Sequence, residues 1–190
     1  MEKAALLKLA TDVRGDWEAT IAELGMDGLE RPGVTGEWRV RDVLAHCNGF
    51  DRWQIVQLRS AFSGEIPTEE ELTGGINYPP NDDLSDDAMN AMFIEGTRDL
   101  PTSTILRHWH EVMSMREAWL SAATQQQLDA LITADWHSGS KRIMRLASEI
   151  PSATEHTPAW KLIFDQIDHL KAHLEEVQKR IEQENQPGSS

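Results

Sequence analysis

The sequence predicts an all-α fold, a four-helix bundle with one long crossover and short accessory helices, on three observations. Apolar residues recur at steps of three and four through four long stretches. Strand-like alternation of apolar and polar residues is nearly absent. A connection rich in Gly and Pro, "SGEIPTEEELTGGINYPPNDD", separates the second long stretch from the third.

The first helix carries Leu6, Leu9, Val13, Trp17, Ile21 and Leu24 on one side, with Gly25 as its stop. "MDGLERPGVTGEW" is a loop by its Gly and Pro content. A second helix starts near Arg39, with Val40, Val43, Leu44, Cys47, Phe50 and Ile55 on its apolar side. After the long connection, "LSDDAMNAMFIEGTRDL" suits a short helix, with Ser85 as its cap and two acids in the first turn. The third long helix, "PTSTILRHWHEVMSMREAWLSAA", groups Ile105, Leu106, Trp109, Val112, Met113, Arg116, Trp119 and Leu120 near one side. Thr124 and Gln127 form a capping box that restarts a helix through "QQQLDALI". The stretch from Asp135 to His156 reads equally as helical or partly extended. The last helix has Thr157 as its cap and Pro158 at its first position, with Trp160, Ile163, Ile167, Leu170, Leu174, Val177 and Ile181 on its apolar side. A single domain is expected over 1–184, followed by a frayed tail over 185–190.

Composition narrows the function classes. The 190 residues carry 18 Lys+Arg against 32 Asp+Glu, a formal net charge of −14, which the phosphate backbone of a nucleic acid would repel. The single Cys47 excludes an intrachain disulfide and any Cys-based zinc motif. No stretch approaches the roughly 18 apolar residues of a membrane span, and charges at Lys8, Asp12 and Arg14 interrupt the N-terminal apolar run before it resembles a signal peptide. The expected location is the cytoplasm, and the expected partner is a small molecule, with no nucleic acid and no membrane. Seven Trp against one Tyr point to indoles packed at helical spacing.

His169 and His173 in "FDQIDHLKAHLEEVQ" stand one turn apart. At about 100° per residue they fall on the shoulder of the apolar stripe, with Asp165 and Glu176 on the same side. Two imidazoles so placed can grip one ion, and a neighbouring carboxylate can orient a ring or accept a proton. They fit equally as polar residues on a half-wet face. Two ligands make a weak site, and the best third donor is His46, which shares a helical face with Val43, Phe50 and Trp53. The alternative for His46 is a satisfied core histidine, and periodicity does not bring it to His169. His108 and His110 flank Trp109 and point to different sides; either one enters the bundle or, as expected, both are boundary or surface residues. His137 and His156 lie in the ambiguous region. Cys47 reads as a small core residue.

"GEWRVRDVLAH" and, far downstream, "DHLKAHLEEV" together resemble the DinB-like four-helix-bundle superfamily. "FIEGTRDLPTSTILRHWHEVMSMREAWLSAATQQQLDAL" is similar to its DfsB/ClbS-like branch, where an Asn/Thr–Arg–Asp–x–Pro segment precedes the third helix. The resemblance implies a DinB-type bundle and a three-histidine metal site on His46, His169 and His173. It also implies a divalent ion, nickel or zinc, and a homodimer, for which the heptad-like last helix offers a surface. Implied activities are metal-dependent hydrolysis and thiol transfer with bacillithiol, mycothiol or glutathione. The DfsB/ClbS-like branch implies protection against a reactive natural product, a stress-response role. That branch often lacks the full histidine set, which this chain keeps.

The expected function is therefore that of a metal-dependent hydrolase or thiol transferase acting on a small electrophile, with Asp165 and Glu176 supporting the ligands. The alternative is a non-catalytic binding or self-protection protein whose bundle, lined by Trp38, Trp53, Trp109 and Trp160, holds an apolar or planar compound.

Overall fold

The computed structural model describes residues 1–34, 36–80, 85–137, 141–149 and 156–184. Four long helices make the bundle: α1 (Lys3–Leu29), α2 (Val40–Ser63), α5 (Thr102–Ala122) and α7 (Ala159–Glu184). Three short ones join them: α3 (Glu69–Thr73), α4 (Asp86–Thr97) and α6 (Gln125–Asp129). Regular helix breaks at Gly25, where φ is 62° and ψ −177°, and one further turn carries α1 to Leu29. Ser85 caps α4 and the Thr124–Gln127 box starts α6, as expected, but α6 ends at Asp129 and not at Ile132, because Ala130 turns extended and the chain continues as a strand. Gly64, left-handed at φ 74°, closes α2. The expected tail over 185–190 lies outside the described residues.

Each long helix packs chiefly on two others: α1 and α2 both lie against α5 and α7. The shared core takes Leu6, Val13 and Trp17 from α1 and Val43, Leu44 and Leu58 from α2. Facing these are Ile105, Trp109 and Met113 of α5 and Ile163, Ile167, Leu170 and Leu174 of α7. Each such side chain contributes about 1.5–3 kcal/mol relative to exposure. Trp109 is fully buried, with its ring centroid 5.7 Å from that of Trp17, so it is a core residue and not a ligand-facing wall. Three side-chain bonds to helix carbonyls set the axial register. Trp17 Nε1 donates to Leu170 O at 3.0 Å, Gln54 Nε2 to Leu162 O at 3.0 Å, and Asn48 Nδ2 to Ile105 O at 3.2 Å. Between α2 and α5, Arg116 Nη1 reaches both Asp51 oxygens at 3.2 Å, a fully buried ion pair.

The ambiguous stretch resolves as a small sheet ordered β2-β1-β3, formed by β1 (Leu131–His137), β2 (Lys141–Leu146) and β3 (Thr157–Pro158). β1 pairs antiparallel with both, Ile132 facing Leu146 on one side and Thr157 on the other. Thr157 and Pro158 are thus strand residues, and α7 begins at Ala159 instead of at the expected Thr157 cap. Proline is tolerated there because a short edge strand needs few donors. The hairpin lies on α2, where Met144 N donates to Gln57 Oε1 at 3.2 Å and Ile132 and Met144 join the core. Ala159 N donates to Ala130 O at 3.0 Å, drawing the two ends of this excursion together.

The crossover between α2 and α5 carries α4 against α2. Gly49 permits the approach: a Cβ there would lie 2.3 Å from Phe93 Cδ1. Phe93 stacks edge-on against Phe50 at 4.9 Å and Tyr78 at 5.2 Å. The "TRDLP" segment presents carbonyls to the buried Arg41, whose Nη2 donates to Thr97 O at 3.0 Å and Leu100 O at 2.6 Å. Among the described residues no helix is long and apolar enough to cross a membrane.

Candidate metal centre

His46 faces out of α2 toward α7 at the level where Trp17 grips the Leu170 carbonyl, between His169 and His173. The three rings converge. His46 Nε2 lies 3.3 Å from His169 Nε2, which lies 3.0 Å from His173 Nε2. Ring centroids are 4.6–5.2 Å apart and the planes are steeply inclined, from 60° to 88°. His46 is buried, and His169 and His173 sit half-buried on the shoulder of the α7 stripe, as the periodicity requires.

Hydrogen bonding alone satisfies this arrangement poorly. If His169 Nε2 carries a proton it donates to one neighbour and presents N–H to the other; if not, one lone pair faces two rings. A cation resolves the conflict. Nitrogens about 2.0–2.1 Å from one tetrahedral ion stand about 3.3 Å from each other, close to the separations here. The donor chemistry fits as well. Burial, then the neighbouring His169 and His173, push the His46 imidazole down to about 3, with the Asn90 amide opposing, so the ring is neutral at physiological pH.

His173 Nδ1 is 2.9 Å from Glu176 Oε2. With Nδ1–H donating to that carboxylate, the Nε2 lone pair of His173 points into the cluster. Glu176 therefore stands where a supporting carboxylate was expected. Asp165 does not: Lys161 Nζ holds both its oxygens at 2.7 and 2.8 Å on the exposed side of α7, because the two residues are one turn apart. Cys47, His46 and His173 also group, each offering one ligand atom within 4.8 Å of the others. Burial, with Asp51 adding, pushes the Cys47 thiol well up, away from the thiolate a metal takes.

Of the remaining histidines, His108, His110 and His156 take no part in the cluster. His108 and His110 face different sides of α5, as expected, but His108 is buried and not a boundary residue; its Nδ1 lies 4.0 Å from Glu111. His110 is exposed beside Glu18, and His156 is exposed. His137 belongs to β1, and its side chain lies outside the described residues.

Trp38 and Phe50 wall His46, with ring centroids at 5.3 and 5.0 Å. Trp38 also lines a cleft of about 710 Å³ on the crossover, together with Pro79, Pro80, Asn90, Ile94 and Arg98. The cleft thus shares Trp38 and Asn90 with the surroundings of His46. Asn90 carries no spacing signal in the sequence; only the packing of α4 on α2 reveals it.

The model of the mycothiol maleylpyruvate isomerase N-terminal domain matches residues 10–161, a span that includes His46 and ends before His169. No curated protein matches the chain in sequence. DfsB, described as a sibling lethal factor precursor, superposes with a TM-score of 0.67 at 11% identity over 98% of both chains. A Streptococcus pneumoniae protein gives 0.66 at 10% identity, over 96% of this chain and 91% of the other. The mycothiol-dependent maleylpyruvate isomerase gives 0.61 at 10% identity, over 93% of this chain but 61% of its own. Likeness at such identities shows the bundle fold alone, whereas the domain model covers most of the sequence. The chain belongs to the mycothiol maleylpyruvate isomerase N-terminal domain family, within the DinB-like superfamily.

Proposed function

We propose that His46, His169 and His173 hold a divalent metal ion, and that the site promotes attack of a thiol or water on a small electrophile. The convergence of three imidazole nitrogens at 3.0–3.3 Å carries this reading. Nickel and zinc both suit an imidazole donor set. When bound, such an ion acidifies a coordinated water or thiol toward neutral pH and polarises a substrate atom. Three neutral rings leave its charge undiminished. Glu176 fixes the His173 tautomer, and Trp38, Pro79 and Ile94 give the cleft apolar walls for the electrophile. Family membership favours a thiol over water as the nucleophile.

Metal analysis of untagged protein tests the reading. The expected result is about one nickel or zinc per chain, lost in His46→Ala/His169→Ala. A trace content identical in both proteins would overturn it. The cleft also favours a second reading, capture of a small apolar compound without turnover. Ligand binding that persists undiminished in the same double variant distinguishes that case.

A further inference from the structure

Two buried polar atoms at the centre lack partners: Nδ1 of His46 and Oδ1 of Asn90. Buried polar groups are nearly always paired, and an orphan of each sign in one place calls for explanation. The Asn90 side chain is near enough to the His46 ring to favour its protonated form, and neither unpaired atom has another partner. One is a donor when the ring carries its proton at Nδ1; the other is an acceptor.

We propose that Asn90 is the positioning residue for His46, its Oδ1 accepting the Nδ1–H so that Nε2 presents a lone pair to the ion. The inference rests on His46 being a ligand, as proposed above. His173 supplies the parallel: its Nδ1 already meets Glu176 at 2.9 Å, a partner from its own helix. No residue of α2 partners His46 Nδ1, and beside the other two histidines its ring contacts are Trp38, ahead of the helix, and Phe50 on it. Its partner comes instead from α4, held near by the Phe93–Gly49 contact. The two supports differ in charge. Glu176 is an anion, whereas Asn90 is neutral and fixes the tautomer without offsetting the charge of the ion. Asn90 also borders the cleft, so the residue that orients the ligand faces the space a substrate would occupy.

The test uses full-length, untagged protein, with zinc or nickel alone as the probe and chelator competition as the readout. Asn90→Leu, close in volume, should weaken binding about 10–100-fold, and Asn90→Asp, which keeps an acceptor, should restore it. In metal-free protein, imidazole ¹⁵N shifts should report Nδ1–H on His46 in the wild type and a mixture of tautomers in Asn90→Leu. If Asn90→Leu does not fold, Asn90→Ala serves the same comparison. Affinity within about twofold of wild type in Asn90→Leu, or no recovery in Asn90→Asp, overturns the assignment. A wild-type protein that binds neither ion overturns the proposed metal site along with it, so the two failures are distinct.

Discussion

Two buried polar clusters share α2, little more than one turn apart, and they differ in whether opposite charges meet inside them. At Asp51 the partner is inside the fold: both carboxylate oxygens meet Arg116 Nη1 at 3.2 Å, and Arg116 Nη2 meets Met113 Sδ at 3.0 Å. Burial raises the Asp51 carboxyl and Arg116 opposes the rise, so opposite charges answer each other. At His46 no opposite charge is supplied. Three imidazole rings turn the same kind of nitrogen toward one point, and Nδ1 of His46 is left without a partner. Arg116 Nε is unpaired as well, so an unpaired atom does not tell the two apart. A cluster whose charges balance belongs to the scaffold, and one that turns three nitrogens to a point without a counter-charge has room for a cation. Both residues lie on α2 and are equally buried, so burial alone does not separate structural from functional polar residues.

The contrast can be broken by cutting each cluster. Arg116→Ala leaves Asp51 charged and alone in the core and should cost about 3–5 kcal/mol in urea denaturation, without changing metal affinity per folded chain. Asp51→Leu/Arg116→Met should recover most of that loss, since a well-packed apolar pair often matches a buried ion pair. Weakened metal binding in Arg116→Ala with stability intact would reverse the two roles. For the histidine cluster, zinc or nickel at 100 times its Kd should stabilise the wild type by about 2.7 kcal/mol, and His169→Ala by nothing. Thermal melts with and without the ion make that comparison.

Finer cuts sharpen it. Glu176→Ala should lower metal affinity about 10–100-fold in chelator competition while leaving the apo melt nearly unchanged. The smallest effect is expected at His108, whose pKa is held below 6.5 chiefly by burial, with Arg107 adding. A histidine depressed in this way contributes stability that is complete above its unfolded value and is lost as pH falls below about 6.5 toward the folded value. His108→Gln should therefore flatten the fall in unfolding free energy between about pH 7 and pH 5. His46 acts in the same direction, so a residual slope should remain.

What the sequence revealed follows how local each feature is. The long helices were legible because Leu6 to Leu24 and Ile163 to Ile181 repeat their apolar faces over many turns. His169, His173 and Glu176 were legible as a group because one helix fixes their spacing. Asp165 satisfied the same rule and was misassigned, although Lys161 four residues earlier already offered the competing pair. The hairpin was illegible because its pairing is decided elsewhere, by Gln57 far back on α2 and by Ala130 meeting Ala159. His46 reached His169 only through resemblance, since no periodicity spans the distance between α2 and α7. Asn90 left no local trace; it sits mid-helix in a short accessory segment and matters only because that segment lies against α2.

That contact depends on one missing methyl group. Any side chain at position 49 would strike the Phe93 ring, and Phe93 is buried with no free direction to retreat except by carrying α4 with it. The outer residues of α4 line the cleft, so enlarging position 49 changes the gap between α4 and Trp38 while every lining residue keeps its identity. Size selectivity can thus be adjusted from behind the wall, and Gly49→Ala is the substitution that would shift which ligands fit while leaving all three histidines in place.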